Sequence, residues 1–172
     1  MLKGIGALLI LASAAGIGVS FSNDLKGRCM ELRLLKQMIY MLRGEIKYTK
    51  TPLPDAFASI AVRMKEPFGS FLEELAKQME NPENGTFGEL WQAQIKAQLS
   101  GTHLKREDKE QLGSLGEVLG YLDLEMQLSS IELYLEQLEL RIRESQEAAR
   151  TKQKLYQSLG VAGGIFLVIL LV

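Results

Sequence analysis

The sequence predicts an all-α protein: a cytoplasmic helical bundle of about five to six helices, flanked by N- and C-terminal transmembrane helices. Three observations carry that prediction. Apolar residues in the middle of the chain recur at alternating spacings of three and four, the period of one helix face. No stretch alternates apolar and polar residues as a half-buried strand would. Both ends are almost free of charge, whereas the middle is rich in it.

The ends divide the chain into a membrane helix at 1–23, a bundle at 24–154 and a second membrane helix at 155–172. Residues 4–23, GIGALLILASAAGIGVSFSN, carry no charge and as a helix would reach across about 30 Å, the thickness of a bilayer core. Residues 155–172, LYQSLGVAGGIFLVILLV, are likewise uncharged and would reach roughly 27 Å. Tyr156 stands where an interfacial aromatic belongs. Small residues one helical turn apart, Ala12 with Gly16, Ala14 with Gly18 and Gly160 with Gly164, would let the two spans pack closely. A competing reading of the first span is a secretory signal peptide cleaved after ASA at 12–14, but the apolar run continues through Ile17, Val19 and Phe21.

Orientation follows from the flanking basic residues. Lys26, Arg28, Arg33, Lys36 and Arg43 follow the first span, and Arg141, Arg143, Arg150, Lys152 and Lys154 precede the second. On the other side stand only Lys3 and the amino terminus, so the bundle faces the cytoplasm.

Within the bundle, Leu25, Cys29, Leu32, Leu35, Ile39, Leu42 and Ile46 form one stripe of a helix continuing from the first span. Two prolines in YTKTPLPDAF then end it and start a helix over 53–64, with Thr51 as its cap, Pro52 at its first position, and Phe57, Ile60 and Ala61 facing inward. A helix opening at Pro67 buries Phe68, Phe71, Leu72 and Leu75, and NPENG at 81–85 reads as a turn. Thr86 and Glu89 have the spacing of a capping box, so a helix runs from there to Leu99 with Leu90, Trp91, Ile95 and Leu99 inside. The next spans KREDKEQLGSLGEVLGYL, with Leu112, Leu115, Leu119 and Leu122 inside and Gly113, Gly116 and Gly120 admitting a neighbouring helix. The last helix carries Leu124, Leu128, Ile131, Leu135, Leu138 and Ile142 on its inner face, and no breaker separates it from the C-terminal span.

Little in the composition points to catalysis. One cysteine, Cys29, and one histidine, His103, leave no intrachain disulfide, no Cys-rich metal site and no His-based cage. Lys and Arg number 20 against 21 Asp and Glu, so no basic field exists to hold nucleic acid. The glycines lack a following Gly-Lys-Ser/Thr triplet, and no cofactor or small-molecule substrate is expected. An enzymatic site would have to use Glu73 with Glu74, or Asp123 with Glu125 and Gln127. These residues read more simply as solvated faces, and Asp123 and Gln127, one turn apart, as a cap or an inter-helix link. Exposed charge in EEL at 73–75 and LKREDKE at 104–110 makes Glu73, Glu74, Arg106 and Asp108 candidates for docking a partner.

The segments KYTKTPLPDAFASIAVRM, GSLGEVLGYLDLEMQLSSIELYLEQL and KLYQSLGVAGGIFLVILLV, in this order and at these distances, resemble the stage III sporulation protein AB family of endospore-forming bacteria. The most specific positions are Pro52, Leu53, Pro54 and Ala56; Leu119, Gly120, Asp123 and Gln127; and Tyr156, Leu159, Gly160 and Val161. One position departs from the pattern, since Leu124 follows Asp123 where a basic residue is expected; this bears on a polar contact there and not on the family.

The resemblance implies a non-enzymatic platform in the mother-cell membrane around the forespore, part of a secretion-like channel apparatus. It implies helices similar to those of type II secretion and type IV pilus platform proteins. The partners it implies are the bilayer, a secretion-type ATPase (stage III sporulation protein AA) and other stage III channel proteins, with a homo-oligomer left open. The alternative reading is a secreted or membrane-tethered helical binding module with no role in secretion.

Overall fold

The computed structural model describes residues 24–49, 51–120 and 123–171, except for the side chains of 153, 154 and 156–171. Within them the chain is all α-helical. Helix α1 covers 24–44 and ends in a π-helical turn, Glu45–Thr49; α2 is Leu53–Ala61, α3 Phe68–Met79, α4 Phe87–Gln98, α5 Arg106–Leu119 and α6 Leu124–Leu171. A short 3-10 turn, Pro82–Asn84, joins α3 to α4.

Helices α2 to α5 pack in sequence, each against the next, and α1 lies antiparallel to α6. Lys36 reaches Glu139 at 3.3 Å and Arg43 reaches Glu132 at 2.7 Å. The Ser145 hydroxyl donates to the Leu25 carbonyl at 3.4 Å near the other end of the pair. Helix α6 has 48 residues and is therefore about 72 Å long. Among the residues whose side chains are described, its last buried position is Ser145, and its backbone stays helical to Leu171. A single unbroken helix thus leaves the bundle and enters the apolar C-terminal run.

The core is held by an aromatic hub. Trp91 on α4 is fully buried, with Phe71 of α3 edge-on at 5.1 Å, Phe87 at 5.5 Å and Phe57 of α2 at 5.9 Å between ring centroids. Its indole N–H donates to the Leu112 carbonyl of α5 at 2.8 Å, so one side chain joins four helices. The indole lies directly over Gly116, where an added Cβ would stand 2.2 Å from a ring carbon. Gly116→Ala is expected to cost about 3 kcal/mol by overpacking, because the obstructing atoms belong to a fully buried ring, against roughly 1 kcal/mol gained in helix propensity. At Gly113 the obstructing atoms are the amide end of Gln92, which can swing aside, so Gly113→Ala is expected to be neutral or stabilising. Urea midpoints of the two variants check this, and a Gly116→Ala protein as stable as the parent would refute the hub.

Several sequence expectations are met. The capping box closes α4, with Glu89 N–H donating to Thr86 Oγ1 at 3.4 Å and Thr86 N–H to Glu89 Oε2 at 2.8 Å. Gly85, at φ 118, takes a conformation that suits glycine alone. Others are corrected. Helix α2 stops at Ala61 and not at 64, because the backbone tightens into i to i−3 bonds, Arg63 N to Ile60 O and Met64 N to Ala61 O, which turns the chain back toward α3. Thr51 does not cap α2: Pro52 is the capping residue without a side-chain bond, while the Thr51 hydroxyl donates to Thr49. Leu124 is exposed, because α6 meets the core only from Leu128 onward.

The expected membrane helix at 1–23, with Ala12, Ala14, Gly16 and Gly18, and the inward Leu122 lie outside the described residues. Gly160 and Gly164 are in the helical backbone of α6, and what surrounds them lies outside as well. Among the described residues no helix is long and apolar enough to cross a membrane.

Candidate functional site: a buried carboxylate that clamps the two terminal helices

Helix α5 opens with a charged run, and one of its carboxylates points inward. Asp108 is 1% exposed and sits one turn ahead of Leu112, on the same face as Leu115 and Leu119. Arg28 of α1 grips it with both arms, Nε to Oδ2 at 2.8 Å and Nη2 to Oδ1 at 2.9 Å. Arg141 of α6 adds Nη1 to Oδ1 at 2.6 Å, and the Lys105 amide donates to Oδ2 at 2.9 Å. Four donors therefore converge on one carboxylate, which is how a buried charge is accommodated. The start of α5 contributes its own positive dipole end.

Burial opposes ionisation of Asp108, but Arg28, the Lys105 amide and Arg141 outweigh it and hold the carboxyl below its ordinary range. The hydrogen bonds to Asp108 in turn hold the Arg28 guanidinium charged beyond its usual range. The Tyr134 hydroxyl, within the field of Asp108 and Arg141, is pushed well above the ordinary phenol range, first by burial. It has no hydrogen-bond partner among the described residues.

A depressed carboxyl pKa stabilises the fold above the unfolded value of about 3.9 and ceases to do so as the pH falls through the folded value. The stability difference between the parent and Asp108→Asn should therefore be constant near neutrality and shrink in acid. Urea midpoints measured from neutral pH down to the acid transition test this; a difference that stays unchanged in acid would show that the charge of Asp108 is not what matters.

Asp108 thus serves the interior and is not available for docking. The other candidates remain on the surface. Arg106 pairs with Glu110 at 3.3 Å, Glu73 with Lys77 at 2.7 Å, and Glu74 accepts from Gln78 at 2.8 Å. No hydrogen bond or ion pair among the described residues joins Glu73 or Glu74 to α5. Asp123 Oδ1 accepts the Met126 N–H at 2.9 Å and so caps α6, and Gln127 donates to the Leu119 carbonyl at 2.8 Å, tying α6 to the end of α5. His103 rests on Gly27 of α1, with Nδ1 2.9 Å from Glu31. Among the described residues no three His, Cys, Asp or Glu side chains form a metal-binding group.

Sequence reasoning missed the clamp, although a signal was present. Asp108, Leu112, Leu115 and Leu119 share the spacing of one helix face, as do Arg28, Leu32, Leu35 and Ile39. A charge in register with each stripe marks the end where the two stripes meet.

Two open grooves flank α6. One, of about 670 Å³ between α1 and α6, is lined by Arg33, Lys36, Tyr40, Met41, Ile142 and Arg143 among others. The other, of about 480 Å³, lies over the clamp, with Glu107, Gln111, Gln137, Leu140 and Glu144 along it. Such open grooves suit a docked polypeptide better than an enclosed substrate.

The family model of stage III sporulation protein AB matches residues 3–172. The chain is similar to stage III sporulation protein AB of Bacillus subtilis (strain 168), 29% identical over an alignment of 175 positions that covers 99% of each chain. Its fold is similar to a solved structure of stage III sporulation protein AB, with a TM-score of 0.66 and 27% identity over 72% of this chain and 97% of that one. The chain belongs to the stage III sporulation protein AB family.

Proposed function

We propose that this chain is a non-enzymatic membrane platform in sporulation, coupling a secretion-type ATPase in the cytoplasm to a channel complex in the mother-cell membrane around the forespore. Family membership supports the role in sporulation. The reading of both ends as membrane spans rests on the uncharged runs at 4–23 and 155–172 and on the basic residues just inside each of them.

The observation that carries the mechanism is the Asp108 clamp together with the unbroken α6. The clamp fixes α1 and α6 to α5 at the ends that lead toward the two apolar runs, and α6 continues from the bundle into its run without a break. A tilt or rotation imposed on the bundle would then move both spans as one lever. The docked partner, stage III sporulation protein AA, would supply that motion from its ATP hydrolysis, and no bond is made or broken by this chain.

The test is direct binding of the cognate ATPase to the full chain held in phospholipid nanodiscs, with empty nanodiscs as the reference. Saturable binding is the expected result. Absence of binding by a folded, nucleotide-hydrolysing ATPase would overturn the coupling role.

A further inference from the structure

Helix α6 carries a second apolar stripe on the face turned away from the core. Met126, Leu133 and Leu140 recur every seven residues and are 52%, 58% and 58% exposed. That spacing places them in one line along the helix, the pattern of a seam awaiting a second helix. Around this line stand Glu125, Glu136, Glu144 and Glu147; none enters an ion pair among the described residues, and Glu144, which shares the groove beside Leu140 with Arg28, Lys105 and Arg141, has cations close by. On the α5 side the surface beside Leu133 is uncharged, lined by Gln111, Ser114, Val118, Ser130 and Gln137.

We propose that this face docks a basic amphipathic helix of a different protein, whose apolar side covers Met126, Leu133 and Leu140 and whose Lys and Arg side chains meet the unpaired glutamates. Charge decides between the possible occupants. A second copy of α6 laid parallel on the first would set one row of glutamates against the same row, which is destabilising. An antiparallel copy conflicts with both helices continuing toward the same membrane. A bilayer surface of anionic lipid would repel the glutamate-flanked face. A helix with a basic rim satisfies both the apolar seam and the charge. The inference rests on the proposed membrane span for excluding the antiparallel copy, and it does not require that the ATPase be the partner.

The test uses the full chain in nanodiscs of zwitterionic phosphatidylcholine and two synthetic helical peptides with the same leucine face, one flanked by Lys and Arg, the other by Glu. The basic peptide should bind above the level of empty nanodiscs and the acidic one should not. Leu133→Ser with Leu140→Ser, and separately Glu136→Lys with Glu144→Lys, should each weaken binding by about tenfold or more. Tyr48→Ser with Val62→Ser, at exposed apolar residues elsewhere, should leave it unchanged. All these positions are on the surface, and circular dichroism verifies the fold of each variant. Any of three results overturns the proposal: no binding of the basic peptide above empty nanodiscs, equal binding of the two peptides, or a dimer of the full chain that Leu133→Ser with Leu140→Ser returns to monomer.

Discussion

Replacing Asp108 by alanine should destabilise the bundle by about 3–5 kcal/mol, because two guanidinium groups lose the charge that compensates their burial. The expectation rests on geometry. The carboxylate is 0% exposed, Arg28 9% and Arg141 21% exposed in their side chains, so water has little access to the donors of the four hydrogen bonds that Asp108 accepts, least of all to Arg28. Removing the whole cluster is a different matter. Arg28→Met, Asp108→Leu and Arg141→Met combined should recover most of the loss, since apolar side chains of similar volume leave no orphaned charge. Urea unfolding of the three proteins separates these cases. If the triple variant stayed foldable but spore formation failed, the clamp would be needed for fixing α1 and α6 in place and not for stability alone.

The second large effect concerns transmission. A flexible Gly-rich insertion after Lys152 interrupts α6 beyond Ser145, the last buried residue among those whose side chains are described, and so spares the described core. Heat-resistant spore counts should fall to those of cells lacking the chain, while the inserted protein remains folded and in the membrane. Normal sporulation with such an insertion would mean that the proposed C-terminal span anchors the bundle without transmitting its movement.

Most of the helices could be read from period alone, because their apolar residues face a single core. Trp91, Phe57 and Phe71 fell on predicted inner faces, yet nothing in the pattern says that Trp91 reaches across to the Leu112 carbonyl and rests on Gly116. That contact depends on how α4 crosses α5, which sequence spacing does not encode. Boundaries were less legible: Thr51 looks like a cap, but Pro52 takes the position and Thr51 turns to Thr49.

The site was obscured for a different reason. In LKREDKE five other charged residues surround Asp108, so the run reads as a solvated face, although one carboxylate is aligned with the apolar stripe that follows. Arg28 reads in sequence only as a flanking cation that sets membrane orientation. Its partner lies eighty positions along the chain, and only the tertiary fold brings them together. The outward line of Met126, Leu133 and Leu140 was hidden in turn by the stronger inner stripe of the same helix.

Proximity of the two apolar runs in native membranes is the sharpest test of a bundle anchored at both ends. In a Cys29→Ala background, Ala12→Cys paired with Gly160→Cys, positions that would stand at similar depth if both runs prolong the antiparallel course of α1 and α6, should form an intramolecular disulfide upon mild oxidation of full-length chain in sedimented membranes. A shortened chain that has lost its N-terminal run and washes free of the membrane, with no cross-link formed, would contradict the two-span architecture and the platform built upon it.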